Sequence, residues 1–186
     1  ILNLQELNRK FPVIESVGVL HHMEDPEHGW AILRNMLQPG GVMKIGLYSQ
    51  TARRDITRIR KHIAEQQIEP TSDNIRRYRH QLLNSQLEID PGNTALFQDT
   101  YSLSGSRDML FHVQEHQFTI PRIKRALDNL RLRFLGFDIR NPEFLKTFLK
   151  QYPRPDDRLD LDKWLAFEEQ WPRTFTGMYQ FYCTSS

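Results

Sequence analysis

The chain has 186 residues, enough for one domain with a sizeable core. Hydrophobic residues make up 39% and aromatic ones 11%, which excludes a disordered tail, and 25 Lys and Arg against 23 Asp and Glu leave a formal charge of +2, too small to imply a polyanionic partner. No apolar run is long enough for a transmembrane helix, the start ILNLQELNRKF lacks the basic and apolar segments of a signal peptide, and the single cysteine, Cys183, excludes an intramolecular disulfide and a cysteine-built zinc site. A reducing, cytoplasmic compartment is expected.

Pro12 to Val17 is short and apolar and precedes Gly18, the pattern of a buried strand. Asp25-Pro26 is a helix start: the carboxylate can cap free N–H groups, and proline is tolerated in the first turn. Trp30, Leu33, Met36 and Leu37 recur at helical spacing, and Pro39-Gly40-Gly41 should stop the helix. Val42 to Tyr48 then reads as a second strand, completing a βαβ unit with parallel strands.

The middle of the chain reads as helical. Ile56, Ile59 and Ile63 mark one face of a helix over about 52–66. Ile75, Tyr78, Leu82 and Leu83 mark another after Pro70-Thr71-Ser72-Asp73. Asp90 to Asn93 is a turn, and 94–117 reads as loop with short helical pieces. Thr119 can cap a helix carrying Ile120, Ile123, Leu127 and Leu130. Leu132 to Ile139 follows as a strand. Two short helices are expected around Phe144–Leu149 and Leu161–Glu168, and Gly177 to Thr184 closes the chain as a strand. The apolar first strand has no earlier partner, so strands are expected to be missing upstream. Ile1, rather than Met, fits a processed start or a piece of something longer.

Three motifs bring a family into view. Phe11-Pro12-Val13-Ile14, Gly18-Val19-Leu20-His21-His22 and Leu37-Gln38-Pro39-Gly40-Gly41 resemble the fourth strand, the loop after it and the entry to the fifth strand of class I S-adenosylmethionine-dependent methyltransferases. Pro12 departs from that family's usual Asp. The helix and the strands of the last third are similar to its closing helix and its sixth and seventh strands. The resemblance implies an α/β fold: a Rossmann-like sheet of which this chain supplies strands in the order 4-5-7-6, strand 7 antiparallel, with a helical insertion at about 51–117. The stretches around Leu47–Ile56 and Phe111–Leu127 resemble a subgroup often fused behind tetratricopeptide repeats, so such a region upstream is an implied partner. The family's Gly-rich cofactor loop and the acidic residue of its second strand have no counterpart here. The chain therefore reads as the carboxyl-terminal part of one such domain, with an unpaired edge along Pro12–Val17 that should make it aggregation-prone, poorly stable or dimeric on its own.

The resemblance implies S-adenosylmethionine as cofactor. Ligands of open α/β sheets bind beyond the carboxyl ends of the strands. The cofactor-binding candidates are Ile1, Leu2, Ser16, Val17, Gly18 and His22. Gly18 would let backbone approach the ligand closely, or it is a turn glycine. His21 and His22 are catalytic candidates as general base or acceptor-orienting group, against a structural role in the loop. Tyr48, His112, Glu115 and His116 are acceptor-side candidates, the last three from an alternating stretch, Phe111 to Phe118, that could be a short strand or plain surface. Glu24, Asp25 and Glu27 fit a helix amino terminus better than metal ligation, so no metal is expected.

Two other readings compete with methyl transfer. One is a truncated or degenerate domain that serves as a non-catalytic interaction module. The other is RNA binding through Arg53, Arg54, Arg58, Arg60 and Lys61 or Arg76, Arg77 and Arg79, although these positions fit solvated faces opposite the isoleucine stripes better. The methyl acceptor itself is not legible.

Overall fold

A computed structural model describes residues 1–92, 94, 97–111 and 115–185. The chain divides into two compact units, one of Ile1–Ala52 with Gln114–Ser186 and one of Arg53–Val113.

The first unit opens with a 3₁₀ turn, Leu2–Leu7, that packs on the first helix. Strand β1 is Phe11–Val17, a second 3₁₀ turn is Leu20–His22, helix α1 is Pro26–Met36 and strand β2 is Leu37–Tyr48. The Asp25 carboxylate accepts the His28 backbone N–H at 2.9 Å, the cap expected of an Asp-Pro start. The helix ends at Met36, before the Pro-Gly-Gly that was expected to stop it, and Leu37 is already extended. Proline disfavours the α conformation of Gln38 before it, and the extended backbone begins one residue earlier still, at Leu37. The pairing of β1 with β2 then jumps from Phe11–Leu37 to Val13–Val42, and the Pro-Gly-Gly residues bulge out of the ladder. Gly40 takes φ +70, a conformation open to glycine. The Thr184 hydroxyl donates to the Gly41 carbonyl at 2.7 Å and that of Ser185 to the Gln38 carbonyl at 3.1 Å, which pins the bulge.

The second unit holds α2 (Arg54–Glu65), α3 (Ser72–Leu83) and α4 (Leu103–Phe111). Ile56, Ile59 and Ile63 pack with Tyr78, Leu82, Met109 and Leu110 in a core of its own. Thr71 caps α3 by accepting the Asn74 N–H. The basic face of α2 is only partly solvated. Arg60 donates to the carbonyls of Met109 and Asp108 at 2.8 and 3.3 Å, at the carboxyl end of α4, where the helix dipole favours a cation. Arg58 pairs with Asp55 at 3.0 Å. Phe111 ends a helix, so the strand considered for Phe111–Phe118 does not begin there, and His112 lies outside the described residues. Among its described residues only Phe118 pairs, in an isolated parallel bridge with Ser49.

The first unit resumes with α5 (Ile120–Asn129), β3 (Leu132–Phe137), α6 (Pro142–Gln151), α7 (Leu161–Gln170) and β4 (Met178–Ser185). Strand β3 stops two residues short of the expected Ile139. The four strands form one mixed sheet in the order β1-β2-β4-β3, with β1 parallel to β2 and β4 antiparallel to both its neighbours. The four strands and the parallel pairing of β1 with β2 follow the periodicities, and the antiparallel β4 is what the resemblance implied. Its inner face buries Met43, Ile45, Leu47, Tyr179, Phe181 and Cys183 with Trp30 of α1, Ile123 of α5 and Trp164 of α7. Among the described residues β1 pairs on one side only, and Val13 in it is 66% exposed.

Burial pushes the Cys183 thiol up to about 12 from a usual 9.0. At pH 8 the folded chain should therefore resist a thiol-reactive aromatic disulfide, and labelling should appear only with unfolding. The sign of the linked stability follows. Above pH 9 the unfolded thiol ionises while the folded one stays protonated, so stability should fall as pH rises through that range. Rapid labelling of the native chain at pH 8 would contradict this burial.

Candidate functional site

Because β1 and β2 are parallel, their carboxyl ends lie side by side, with Val17 opposite Gly46. Gly18 leaves the ladder with its N–H donating to the Gly46 carbonyl at 3.3 Å. Its φ is +78, which L side chains rarely adopt, and a Cβ placed on it would meet nothing within 4 Å. The backbone there is thus open to a close approach. Just before it, the Ser16 hydroxyl is buried, and its oxygen has no hydrogen-bond partner among the described residues.

The chain then folds back over the end of β2. Leu20 and His21 are fully buried, and the His21 ring stacks on the Tyr48 ring at 3.6 Å with 24° between planes. The Tyr48 backbone N–H donates to His21 Nδ1 at 3.3 Å, so Nδ1 carries the lone pair. His22, half-buried, sets its ring edge-on to His21 at 4.4 Å and to Tyr48 at 5.5 Å. A third segment closes the cluster. The His116 N–H donates to the His21 carbonyl at 2.8 Å, the Phe118 N–H to the Tyr48 carbonyl at 2.8 Å, and the Gln50 N–H to the Phe118 carbonyl at 2.9 Å. Arg122 fixes that segment: it stacks over the Phe118 ring at 3.9 Å, donates to the Gln117 carbonyl and forms a two-pronged pair with Glu27 at 2.7 and 2.9 Å.

The structure therefore brings His21, His22, Tyr48 and the backbone of His116 into one cluster at the strand ends, close to Ser16, Val17 and Gly18. Glu115 is adjacent in the same segment and accepts from the Gln117 amide at 3.3 Å. His21 is enclosed and already hydrogen-bonded, which gives it a structural share in the loop, while half-buried His22 has the access that proton transfer needs. Ile1 and Leu2 lie instead at the turn packed on α1: Ile1 leans on the apolar core and Leu2 is 57% exposed. Among the described residues no group of three or more His, Cys, Asp or Glu is placed to hold a metal ion.

Sequence reading passed over a buried carboxylate beside this cluster. Glu168 of α7 is 3% exposed, accepts from the Tyr179 phenol at 2.8 and 2.9 Å and from the Ser49 hydroxyl at 3.2 Å. Ser49 directly follows Tyr48, and its hydroxyl accepts the Ala52 N–H at 3.1 Å. Burial, and then the Glu168 charge, push the Tyr179 phenol far above its ordinary value. The available signal was Glu168 standing in register with Leu161, Trp164 and Leu165 on an apolar helical stripe, where a carboxylate needs partners.

A mixed sheet closed by an antiparallel strand, with its polar cluster at the carboxyl ends of two parallel strands, defines the class: an α/β domain of methyltransferase fold. Solved structures show the same fold. PKMT2 from Rickettsia typhi aligns over 100% of this chain and 37% of its own with a TM-score of 0.66 at 13% identity. The same protein in complex with AdoHcy aligns over 99% of this chain and 37% of its own with a TM-score of 0.63 at 12% identity. An uncharacterized protein of Synechococcus sp. is 32% identical over 151 residues, which are 76% of this chain and 35% of that protein. The chain thus spans about a third of the length of the relatives it matches. No family model matches it. No helix among the described residues is long and apolar enough to cross a membrane.

Proposed function

We propose that the chain is the acceptor-side part of a class I S-adenosylmethionine-dependent methyltransferase domain, and that upstream sequence completes its cofactor site. The observation that carries this reading is the convergence of the open Gly18 backbone, His22 and Tyr48 at the carboxyl ends of adjacent parallel strands. The likeness to PKMT2, a structure solved with AdoHcy, supports it. So does the free edge of β1, where the sheet order 3-2-1-4-5-7-6 would place the first strand of an intact domain.

In this reading Ser16, Val17, Gly18 and His22 line the cofactor side, with Ile1 and Leu2 at its far margin. The buried, unpartnered Ser16 hydroxyl fits a neighbouring polar ligand atom. S-adenosylmethionine supplies the methyl group when bound. The protein's share is to hold the acceptor in line and dry, and to take its proton where it carries one. His22 is the proton acceptor or orienting group. His21 fixes the Tyr48 backbone, and Tyr48, Glu115 and His116 border the acceptor; His112, the remaining acceptor-side candidate, lies outside the described residues. The four strands occupy positions 4-5-7-6 of one domain, 1–186, with the insertion at about 51–117. An upstream tetratricopeptide region and a cytoplasmic location accompany this reading.

Calorimetric titration of AdoHcy into this chain and into the chain extended upstream tests it. Binding to the extended chain alone is expected. Binding to neither would overturn the cofactor assignment and favour a non-catalytic interaction module.

A further inference from the structure

The sheet end that carries Tyr48 continues across β4 to β3. Met178, the residue paired with Tyr48, lines a small pocket together with Asp138, Arg140, Phe175, Thr176 and Gln180. Three of its polar groups are open to a ligand. Gln180 is only 7% exposed, yet its carboxamide makes no hydrogen bond to any described residue. The amide faces the pocket with no protein partner, so a ligand atom seated there can take its hydrogen bonds. Arg140 is exposed, with neither an ion pair nor a hydrogen bond among the described residues. Thr176 adds an exposed hydroxyl. The one carboxylate present, Asp138, is already neutralised by Lys44 at 3.1 Å, and that bond holds the ammonium above its ordinary value. Phe175 and Met178 supply an apolar wall.

We propose that this pocket binds a carboxylate on a short aliphatic stem. The Arg140 guanidinium is the charge partner, the Gln180 amide and the Thr176 hydroxyl donate to the same oxygens, and Phe175 and Met178 pack the stem. A planar guanidinium matches a carboxylate in two-pronged geometry, and a buried amide beside it selects a small planar anion. As a handle on the methyl acceptor, an acidic side chain or a terminal carboxylate, the pocket rests on the methyl-transfer reading. As a carboxylate site it does not.

The probe is butyrate, with butyramide as its neutral counterpart of equal shape. Amide chemical shifts of the ¹⁵N-labelled chain are followed on titration. Butyrate should shift the Gln180 side-chain NH₂ and the Thr176 amide in a saturable way at about 1–10 mM, the range of a single small anion in a wet site. Arg140→Gln, a change at an exposed position, should weaken that binding about tenfold, and Gln180→Leu should weaken it several-fold. Butyramide should bind far more weakly. No saturable shift with butyrate, an unchanged titration in Arg140→Gln, or equal binding of butyramide would each overturn the proposal, leaving the Gln180 amide to ordinary water. Butyrate binding with AdoHcy bound by neither length of chain would keep the carboxylate site and remove its link to methyl transfer. AdoHcy binding without butyrate binding would remove this site alone.

Discussion

Trp164→Ala should lower the unfolding free energy by about 3–5 kcal/mol, the range for deleting a large aromatic from a packed core. Trp164 is 1% exposed and stacks on Phe148 at 3.6 Å with 7° between planes. Phe137 meets it edge-on at 5.5 Å. Its indole N–H donates to the Arg158 carbonyl at 2.9 Å, so the substitution both opens a cavity and orphans an acceptor. Thermal unfolding followed by far-UV circular dichroism should show a fall of about 10 °C in Tm. Trp171, which is 40% exposed at the end of the same helix, provides the comparison. Its replacement by Ala should cost about 1 kcal/mol or less. Equal losses at the two positions would contradict the packing of α6 and α7 over the sheet.

Tyr179→Phe should destabilise the chain by about 2 kcal/mol, although it removes a single oxygen. That phenol donates to both oxygens of the Glu168 carboxylate, and both residues are almost fully enclosed. Without it a buried carboxyl group loses a donor, and a hydrogen bond left unmade in the interior costs the desolvation of that group. Glu168→Leu should also destabilise, since the Tyr179 and Ser49 hydroxyls then face an apolar side chain. The double variant should lose at least about 1 kcal/mol less than the two single losses summed, the coupling expected of groups that touch. Urea unfolding of the four proteins measures it. Strict additivity would show that the phenol and the carboxylate do not depend on each other. The pair also holds Ser49, the residue after Tyr48, so the geometry of the strand end should loosen with it.

The helices and strands were legible wherever a local signal acts alone. Asp25-Pro26, Thr71 and Asn141-Pro142 start helices because the cap bonds only to its own first turn. The isoleucine stripe of α2 faces a core because a 3.6-residue period allows one buried face. β2 starts earlier than the Pro-Gly-Gly suggests because Leu37 already pairs with Phe11 of β1, and the bulge that follows depends on β1 and β4, which are remote in sequence. The strand considered at Phe111–Phe118 rested on alternation alone. The helix that ends at Phe111 packs its Met109 and Leu110 against isoleucines about fifty residues earlier, a contact that no local pattern reveals.

The same division holds for the site. The βαβ unit, the loop glycine after β1, the histidine pair and the resemblance of these motifs to methyltransferases are legible along the chain, because each is a short run whose pattern is set by its neighbours in sequence. The enclosure of His21 against Tyr48, and the access that His22 keeps, arise from packing between distant segments. The same packing brings the His116 backbone to His21, Glu168 to Ser49 and Tyr179, and sets Gln180 and Arg140 around one pocket. Most of these contacts join segments far apart in the chain, 27 residues for Tyr48 with His21 and 119 for Ser49 with Glu168, while Tyr179 and Glu168 lie 11 apart. They exist because strand pairing and a shared core bring distant backbones together, and no periodicity along the chain encodes such a meeting.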